Sequence, residues 1–433
     1  MATSTARPRV VIVGAGFGGI SAVKTLGNKG MDVLLVDRNN YHGFWPLLYQ
    51  VATGQLDSAS IAYPIRNVIH PYKNVDFQLA DVNGVDFDGK KVLIENGQPI
   101  SYDYLILAAG SAQFYFGNDA LAESTFSMKD VDQAEGLRNH VIAAFEKAQT
   151  ETDPEKRKKL MTIAIVGGGP TGVELAGAYV ELLKYNFKKD FPKLDMSQAR
   201  VVLIEAMGTI MMPFSDPNKK GPSDMQLSTA KVLESRGVEI MLNAAVDSVT
   251  NNVVNFKDGR TLSAGTVIWA AGVRGAMLGD KLGIKLQRGM RVEVTPELSL
   301  PDRKEVFVVG DMAYLEGFPW GERVMAYPQV SQVAIQMAKK AAENVMVLAS
   351  GGQPSKFSYL DKGSMAIIGR NAAIVAASKP VKIKLGNRFG TFFPAWIMWL
   401  GVHVWYLQGW RNKFVAILNW IWNWFGKDRG TRV

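Results

Sequence analysis

The sequence predicts an α/β chain built twice on one plan and followed by a C-terminal region of aromatic amphipathic helices. Three observations carry that prediction. A strand, a glycine-rich turn and a helix follow one another from residue 9 to residue 26; nearly the same construction returns at 162–172; and seven of the ten tryptophans lie beyond residue 390. At 433 residues, with 47% hydrophobic content, the chain is long enough to bury more than one core.

The first unit reads RVVIVGAGFGG at residues 9–19, an apolar β-branched run and then Gly14, Gly16 and Gly19 in a G-x-G-x-x-G arrangement, with Phe17 and Gly18 between them. Gly14 permits the tight turn, Gly16 lets the backbone approach a pyrophosphate, and Gly19 allows helix and strand to pack closely. The phosphate would rest on the helix N-terminus. The next strand, MDVLLVDR, ends at Asp37, followed by Arg38 and 18 residues past Gly19, about where a carboxylate receives a ribose hydroxyl. A Rossmann-like dinucleotide-binding domain is the reading.

The second unit, TIAIVGGGPTG at 162–172, places Gly167, Gly169, Pro170, Thr171 and Gly172 at the start of a helix that carries Glu174. Its second strand, RVVLIEA, ends in Glu205, an acid that accepts ribose hydroxyls and repels a 2′-phosphate, so NADH is favoured over NADPH. Two cradles about 150 residues apart imply two nucleotides between which electrons pass.

Three further apolar strands end in glycine. LILAAGS (105–111, through Gly110) and VIWAAGV (267–273, through Gly272) suit the return out of each nucleotide domain, and DRKEVFVVGDMA (302–313) ends in Gly310-Asp311, where a carboxylate can accept a polyol hydroxyl. Each alone is equally a buried parallel strand with a turn. Together they make residues 118–274 an insertion in a discontinuous first domain, with the boundaries 1–117, 118–274, 275–345 and 346–433.

Composition narrows the chemistry. The chain contains no cysteine, which removes disulfides, iron–sulfur clusters, thiolate metal sites and catalytic thiols. Its four histidines (His42, His70, His140, His403) show no ligand spacing, so no metal is expected. Of the formal charge of +9, eight belong to the stretch from Lys379 onward, where nine cations face only Asp428. That distribution argues against nucleic acid and joins the basic character to the tryptophans. MATSTARPR has no apolar core, so no signal peptide is read and a cytoplasmic chain follows.

The tail holds two apolar segments, FFPAWIMWLGVHVWYLQGW (392–410) and FVAILNWIWNWF (414–425). The first is interrupted by Pro394, Gly401, His403 and Gln408, and its tryptophans are scattered rather than gathered at two ends, unlike a spanning helix. The second puts Phe414, Ile417, Leu418, Ile421 and Phe425 on one stripe, with Ala416, Asn419 and Asn423 opposite. Linked through Gly409 and flanked by Arg411, Lys413, Lys427 and Arg429, the pair reads as a monotopic anchor through residues 389–425, its cations meeting anionic lipid. A buried hairpin, a homodimer seam and a true span are the alternatives.

These residues resemble a known family. The match, from about residue 9 to residue 425, is to the type II NADH dehydrogenases, the non-pumping NADH:quinone oxidoreductases of the two-dinucleotide-binding-domain flavoproteins. Beyond the shared glycine motifs it rests on FWPLLYQVATG (44–54), GPTGVELAG (169–177), SQVAIQ (331–336), YLDKGSMAIIG (359–369) and the aromatic tail. The resemblance implies that Gly14, Gly16, Gly19 and Asp37 hold the adenosine and pyrophosphate of non-covalent FAD, Asp311 its ribitol, and Met312 and Ala313 the flavin ring. Gly167, Gly169, Gly172 and Glu205 would hold NADH, and Glu174 would lie beside flavin and nicotinamide. Gln332 and Gln336 would line the quinone site, and Lys362 would lie near the flavin. Ser331 stands where the family usually has alanine, which bears on the packing of the quinone pocket; the stretch 325–329 is unusual.

Each single residue has a plainer reading beside it. Glu174, two past Gly172, stabilises a helix N-terminus as well as it would relay a proton. Gln332 and Gln336 also make an ordinary polar pair on one helix face, and Lys362 a solvated turn residue. The expected activity is FAD-dependent oxidation of NADH with reduction of a membrane quinone, at the cytoplasmic face of the membrane, by a peripheral protein. A sulfide:quinone or disulfide reductase needs cysteines that are absent. A non-enzymatic flavoprotein that answers NADH by binding a partner is the alternative.

Overall fold

A computed structural model describes residues 7–378, 383–386, 392–426 and 429–431. The cations Lys379, Lys382, Arg388, Lys427 and Arg432, and most of the N-terminal stretch read for a signal peptide, lie outside the described residues. The chain divides into two compact units, one of residues 1–43, 62–112 and 273–360, the other of residues 44–61, 113–272 and 361–433.

The first unit is organised by a six-stranded sheet. Arg9–Val13 lies at its middle, flanked by Asp32–Asp37 and Val75–Leu79 on one side and by Tyr104–Leu107, Arg303–Val308 and Ser299–Leu300 on the other. All but the last pair in parallel. The distant segment expected at 302–313 therefore does join the first cradle, with Val306 opposite Leu105. Val10, Val11, Ile12, Leu105, Ile106, Leu107, Val306, Phe307 and Val308 are all buried, which is why these strands read as continuous apolar runs. Burying each such side chain contributes about 1.5–3 kcal/mol. The helix Phe17–Leu26 packs on Ser331–Ala349. Gly310, at φ +70, stands where a Cβ would come 3.0 Å from that of Ala334, inside the SQVAIQ motif.

The second unit repeats the idea with four parallel strands in the order Val238–Met241, Arg200–Ile204, Thr162–Val166, Thr266–Trp269. The helix Pro170–Leu182 follows the glycine turn and lies against Ser364–Gly369, a strand of an antiparallel sheet with Ala372–Ala377 and Ile383–Leu385. A Cβ on Gly177 would collide with the Ile368 carbonyl oxygen, which gives the last glycine of GPTGVELAG its purpose. The helix then continues through a π-helical turn, Leu183–Phe187, a distortion that tends to mark functional positions.

The tail forms two helices, Phe392–Tyr406 and Trp410–Gly426, joined at Gly409 with φ +79. Among the described residues no helix is long and apolar enough to cross a membrane. The second helix is inverted relative to an ordinary surface helix. Its polar side faces the unit: Asn412 and Ala416 are buried, Trp420 Nε1 donates to Gln50 Oε1 at 2.7 Å, and Asn423 Nδ2 donates to the Gln55 carbonyl at 2.9 Å. Its apolar stripe, Phe414, Ile417, Leu418, Ile421 and Phe425, is exposed, Phe425 to 75%, and Trp405 and Trp410 are exposed to 77% and 87%. One tail residue departs from expectation. Arg429, expected to meet lipid, is only 5% exposed and donates to the Thr53 carbonyl at 3.0 Å; an acceptor and a carboxylate within the unit outcompete solvent for its guanidinium.

Candidate active site

The two glycine turns are near copies in detail. Gly14 has φ +103 and Gly167 φ +115, and a Cβ on either would run into the strand alongside, at Ala108 and Ala109 in one case and at Ala270 and Ala271 in the other. A Cβ on Gly19 would strike the Gly14 carbonyl oxygen, and one on Gly172 that of Gly167. At Gly16 and Gly169 the space is open. That is the surface a pyrophosphate needs, a backbone with nothing standing in front of it. Gly110 and Gly272, at the ends of the returning strands, share φ +74.

Each turn is also braced by its acid. Asp37 accepts from the Ala15 N–H (2.6 Å) and the Asn39 N–H (2.7 Å); Glu205 accepts from the Gly168 N–H (2.7 Å) and the Met207 N–H (2.9 Å). Burial raises the Asp37 pKa, and the two N–H groups work against that rise. Around Asp37 an open cleft is lined by Gly14, Arg38, Ala80, Asp81, Ala109 and Leu278, with Arg38 paired to Asp81 at 3.6 Å. The sequence reading missed His42, whose Nδ1 lies 2.8 Å from the Ala15 carbonyl and whose ring meets Phe17 edge-on. Burial lowers its pKa to about 4, so the ring is neutral and Nδ1–H donates, holding the turn from behind.

Asp311, Met312 and Ala313 follow the strand Arg303–Val308, with Met312 and Ala313 buried. Gln329 Nε2 donates to the Asp311 carbonyl at 3.0 Å, and buried Arg291 donates to the Tyr327 carbonyl at 3.0 Å. The unusual 325–329 stretch thus ties a hairpin strand, Arg323–Ala326, to the Gly310–Met312 turn. Gln332 and Gln336 share the first turns of Ser331–Ala349. Both amide atoms of Gln336 engage the Leu360 backbone, at 3.0 and 2.9 Å, so it secures the segment leading to Lys362. Lys362 Nζ donates to the Tyr406 hydroxyl at 3.1 Å.

Glu174 lines a cavity, open to solvent, inside the second unit. Tyr49, Gln50, Glu181, Tyr185, Arg370, Trp396, Trp399, Trp420, Trp424 and Arg429 share its wall. Among the described residues the Glu174 carboxyl accepts one long bond, 3.3 Å, from the Ile367 N–H. Burial pushes its pKa up to about 8, with that N–H pulling weakly the other way, so the group is a neutral acid at neutral pH. Tyr49 is buried next to it, its hydroxyl accepting from Gln50 Nε2 at 2.7 Å. Glu181 is ionically engaged instead, with Arg236 at 2.7 Å and Arg429 at 3.5 Å. Of this wall the sequence singled out Glu174 for chemistry and Tyr49 and Gln50 as polar handles for a cofactor; Trp399 and Arg429 were read only as parts of the tail anchor, and Glu181 and Arg370 left no local signal.

Comparison with known proteins identifies the family. The sequence profile of the family described as pyridine nucleotide-disulphide oxidoreductase matches residues 8–344. The type II NADH:quinone oxidoreductase Ndh of Mycobacterium tuberculosis is 39% identical over 98% of this chain and 89% of its own. That of Staphylococcus haemolyticus is 29% identical over 85% and 89%. Among solved structures, NDH2 of Plasmodium falciparum in complex with NADH superposes with TM-score 0.85 at 20% identity, over 98% of this chain and 99% of that one. The sulfide:quinone oxidoreductase of Aquifex aeolicus gives 0.68 at 19%, over 97% and 96%. At such identities the structures speak for the fold. The relatives in sequence, matched nearly end to end, decide the rest: the chain belongs to the pyridine nucleotide-disulphide oxidoreductase family and, within it, to the type II NADH:quinone oxidoreductases.

Proposed function

We propose that the chain oxidises NADH and reduces a membrane quinone by two electrons through non-covalently bound FAD, without pumping protons, as an entry to a respiratory chain. The balance is NADH, one proton and a quinone in, and NAD and a quinol out. The observation that carries the reading is the doubled cradle in a chain without cysteine. Two nucleotides are provided for, and no thiol is present to take electrons from either. The non-enzymatic alternative finds no support in the relatives, which carry enzyme names.

In this reading residues 1–117 and 275–345 hold FAD, 118–274 hold NADH, and 346–433 meet the membrane. Gly14, Gly16, Phe17, Gly18, Gly19, Asp37, Arg38 and Gly110 would cradle the FAD adenosine and pyrophosphate, with Asp311, Met312 and Ala313 toward the ribitol and ring. Bound FAD would supply the hydride acceptor and two-electron carrier that no side chain here can provide. Gly167, Gly169, Pro170, Thr171, Gly172, Glu205 and Gly272 position NADH. Glu174 holds a proton for the quinone. Lys362 contributes positive charge, and Gln332 and Gln336 keep the quinone-side assignment, Gln336 as a support. The exposed apolar stripe of the last helix fits the interface of an anionic bilayer at the cytoplasmic face, or the seam of a homodimer.

The experiment is NADH oxidation by FAD-replete protein with and without a short-chain quinone, beside NADPH. Rapid, quinone-dependent, NADH-selective oxidation is expected; flavin that NADH decolourises but quinone cannot restore would overturn the reading. Glu205→Ser further tests the nucleotide assignment. Removing the carboxylate takes away charge-assisted bonds and the repulsion of a 2′-phosphate, so the ratio of kcat/KM for NADH over NADPH should fall by at least about tenfold. An unchanged ratio would move the NADH site elsewhere.

A further inference from the structure

Among the residues that line the cavity in the second unit, Trp399 carries a hydrogen-bond donor that no described residue answers. Trp399 is fully buried, and its indole Nε1–H has no acceptor among the described residues. The adjacent tryptophans are satisfied: Trp420 donates to Gln50 Oε1 at 2.7 Å and Trp424 to Asn371 Oδ1 at 2.8 Å. A buried N–H without an acceptor is rare in folded proteins and costs stability. Nor is the indole free to turn and find one. It stacks on His403 with ring centroids 3.8 Å apart and planes 23° from parallel, while His403 Nδ1 lies 2.7 Å from the Trp399 carbonyl and donates to it. Buried His403, its pKa lowered to about 4 by desolvation, stays neutral and keeps that geometry at ordinary pH.

A second donor lies in the same wall. The Tyr49 hydroxyl accepts from Gln50, which leaves its own proton to be given away. Gln50 is held in turn by Trp420, so the hydroxyl is oriented through a chain of two fixed side chains. The cavity that Trp399 and Tyr49 line is also lined by Trp396, Trp420 and Glu174. It offers aromatic surface, two neutral donors and an acid. A planar ring carrying carbonyl oxygens matches all three.

We propose that Trp399 and Tyr49 bind the quinone headgroup, each donating a hydrogen bond to a ring carbonyl oxygen, and that these two bonds select quinones over electron acceptors without a carbonyl. The assignment rests on the quinone-reductase reading above. It deepens that reading by naming the groups that recognise the acceptor. As two electrons enter the ring, negative charge gathers on the carbonyl oxygens. Both hydrogen bonds strengthen at that moment, so the donors favour the transfer as well as the binding.

The test compares Trp399→Phe and Tyr49→Phe with the unaltered FAD-loaded enzyme, using a short-chain quinone and, separately, ferricyanide, which has no carbonyl. For each variant kcat/KM for the quinone should fall by roughly five- to tenfold, the size expected for one lost hydrogen bond. Ferricyanide reduction and decolourisation of the flavin by NADH should stay as they were. The dissociation constant of the same quinone for the oxidised enzyme, read from quenching of protein fluorescence, should rise in parallel. Tyr49→Phe removes a single oxygen and guards against misfolding of the tryptophan variant. Equal losses with quinone and ferricyanide would assign both residues a packing role, and an unchanged quinone constant would leave the indole N–H to a water molecule; either result overturns the proposal. An unaltered enzyme that uses ferricyanide but no quinone would instead overturn the proposed function itself.

Discussion

Glu174→Gln is expected to lower quinone-dependent turnover by about a hundredfold while NADH still decolourises the flavin at an unaltered rate. Glutamine fills the same volume and can hold the Ile367 N–H, but it has no proton to give, and general acid catalysis of this kind is worth about 10²- to 10⁴-fold. Burial holds the Glu174 pKa near 8, so the carboxyl is protonated throughout neutral pH. Turnover with quinone should therefore be level below about pH 8 and fall tenfold per unit above it. The glutamine variant should lose that limb and keep a low, flat profile. Stability should move the other way. The folded pKa lies above the unfolded one, so the neutral carboxyl's contribution is complete at low pH and is lost as pH rises through about 8. Glu174→Gln protein should match the parent in thermal unfolding at about pH 4 and exceed it at about pH 9. A variant that retains the alkaline limb would assign the proton to another group.

Substituting Ile417, Ile421 and Phe425 together by serine is expected to release the protein from anionic vesicles by about a thousandfold in partition coefficient. These residues belong to the exposed stripe of Trp410–Gly426, and burying each in the interface is worth about 1.5–3 kcal/mol. The soluble chemistry should survive, because none of the three lines the cavity. Turnover with a short-chain quinone in solution should stay near the parental value, whereas turnover with a long-chain quinone confined to vesicles should collapse. Cosedimentation with vesicles and the two assays separate these effects. If the triple variant still sediments with vesicles, while the parent in solution is a dimer and the variant a monomer, the stripe is a subunit seam.

Much of the fold was readable because its demands are local. A glycine at φ +103 against a neighbouring strand, or one whose Cβ would strike a carbonyl a few residues back, restricts its position to one residue type, so Gly14, Gly19, Gly167 and Gly172 carry their geometry in the sequence. The parallel strands were readable for a similar reason, since burial on both faces leaves an unbroken apolar run. The cavity wall was not. Trp420 meets Gln50 and Arg429 meets Thr53 across more than 360 residues of chain, and nothing at either end announces the partner. Composition placed all the tail tryptophans in one class, yet Trp399 is enclosed and Trp410 is bare. Arg429 misled for the same reason. A cation near the end of an aromatic tail looks alike whether it meets a phosphate or a carbonyl, until the fold supplies the carbonyl.

The inverted helix reverses the usual map of mutational tolerance. In most proteins exposed positions drift freely and enclosed ones stay apolar, so a substitution that makes the outside more polar is a safe change. Along Trp410–Gly426 the outward stripe Phe414, Ile417, Leu418, Ile421 and Phe425 is large and apolar, while inward Asn412 is buried and Asn423 sets its amide on the Gln55 carbonyl. Stabilising or solubilising this protein by the ordinary rule would polish away the stripe it presents and grease the seat on which the helix rests.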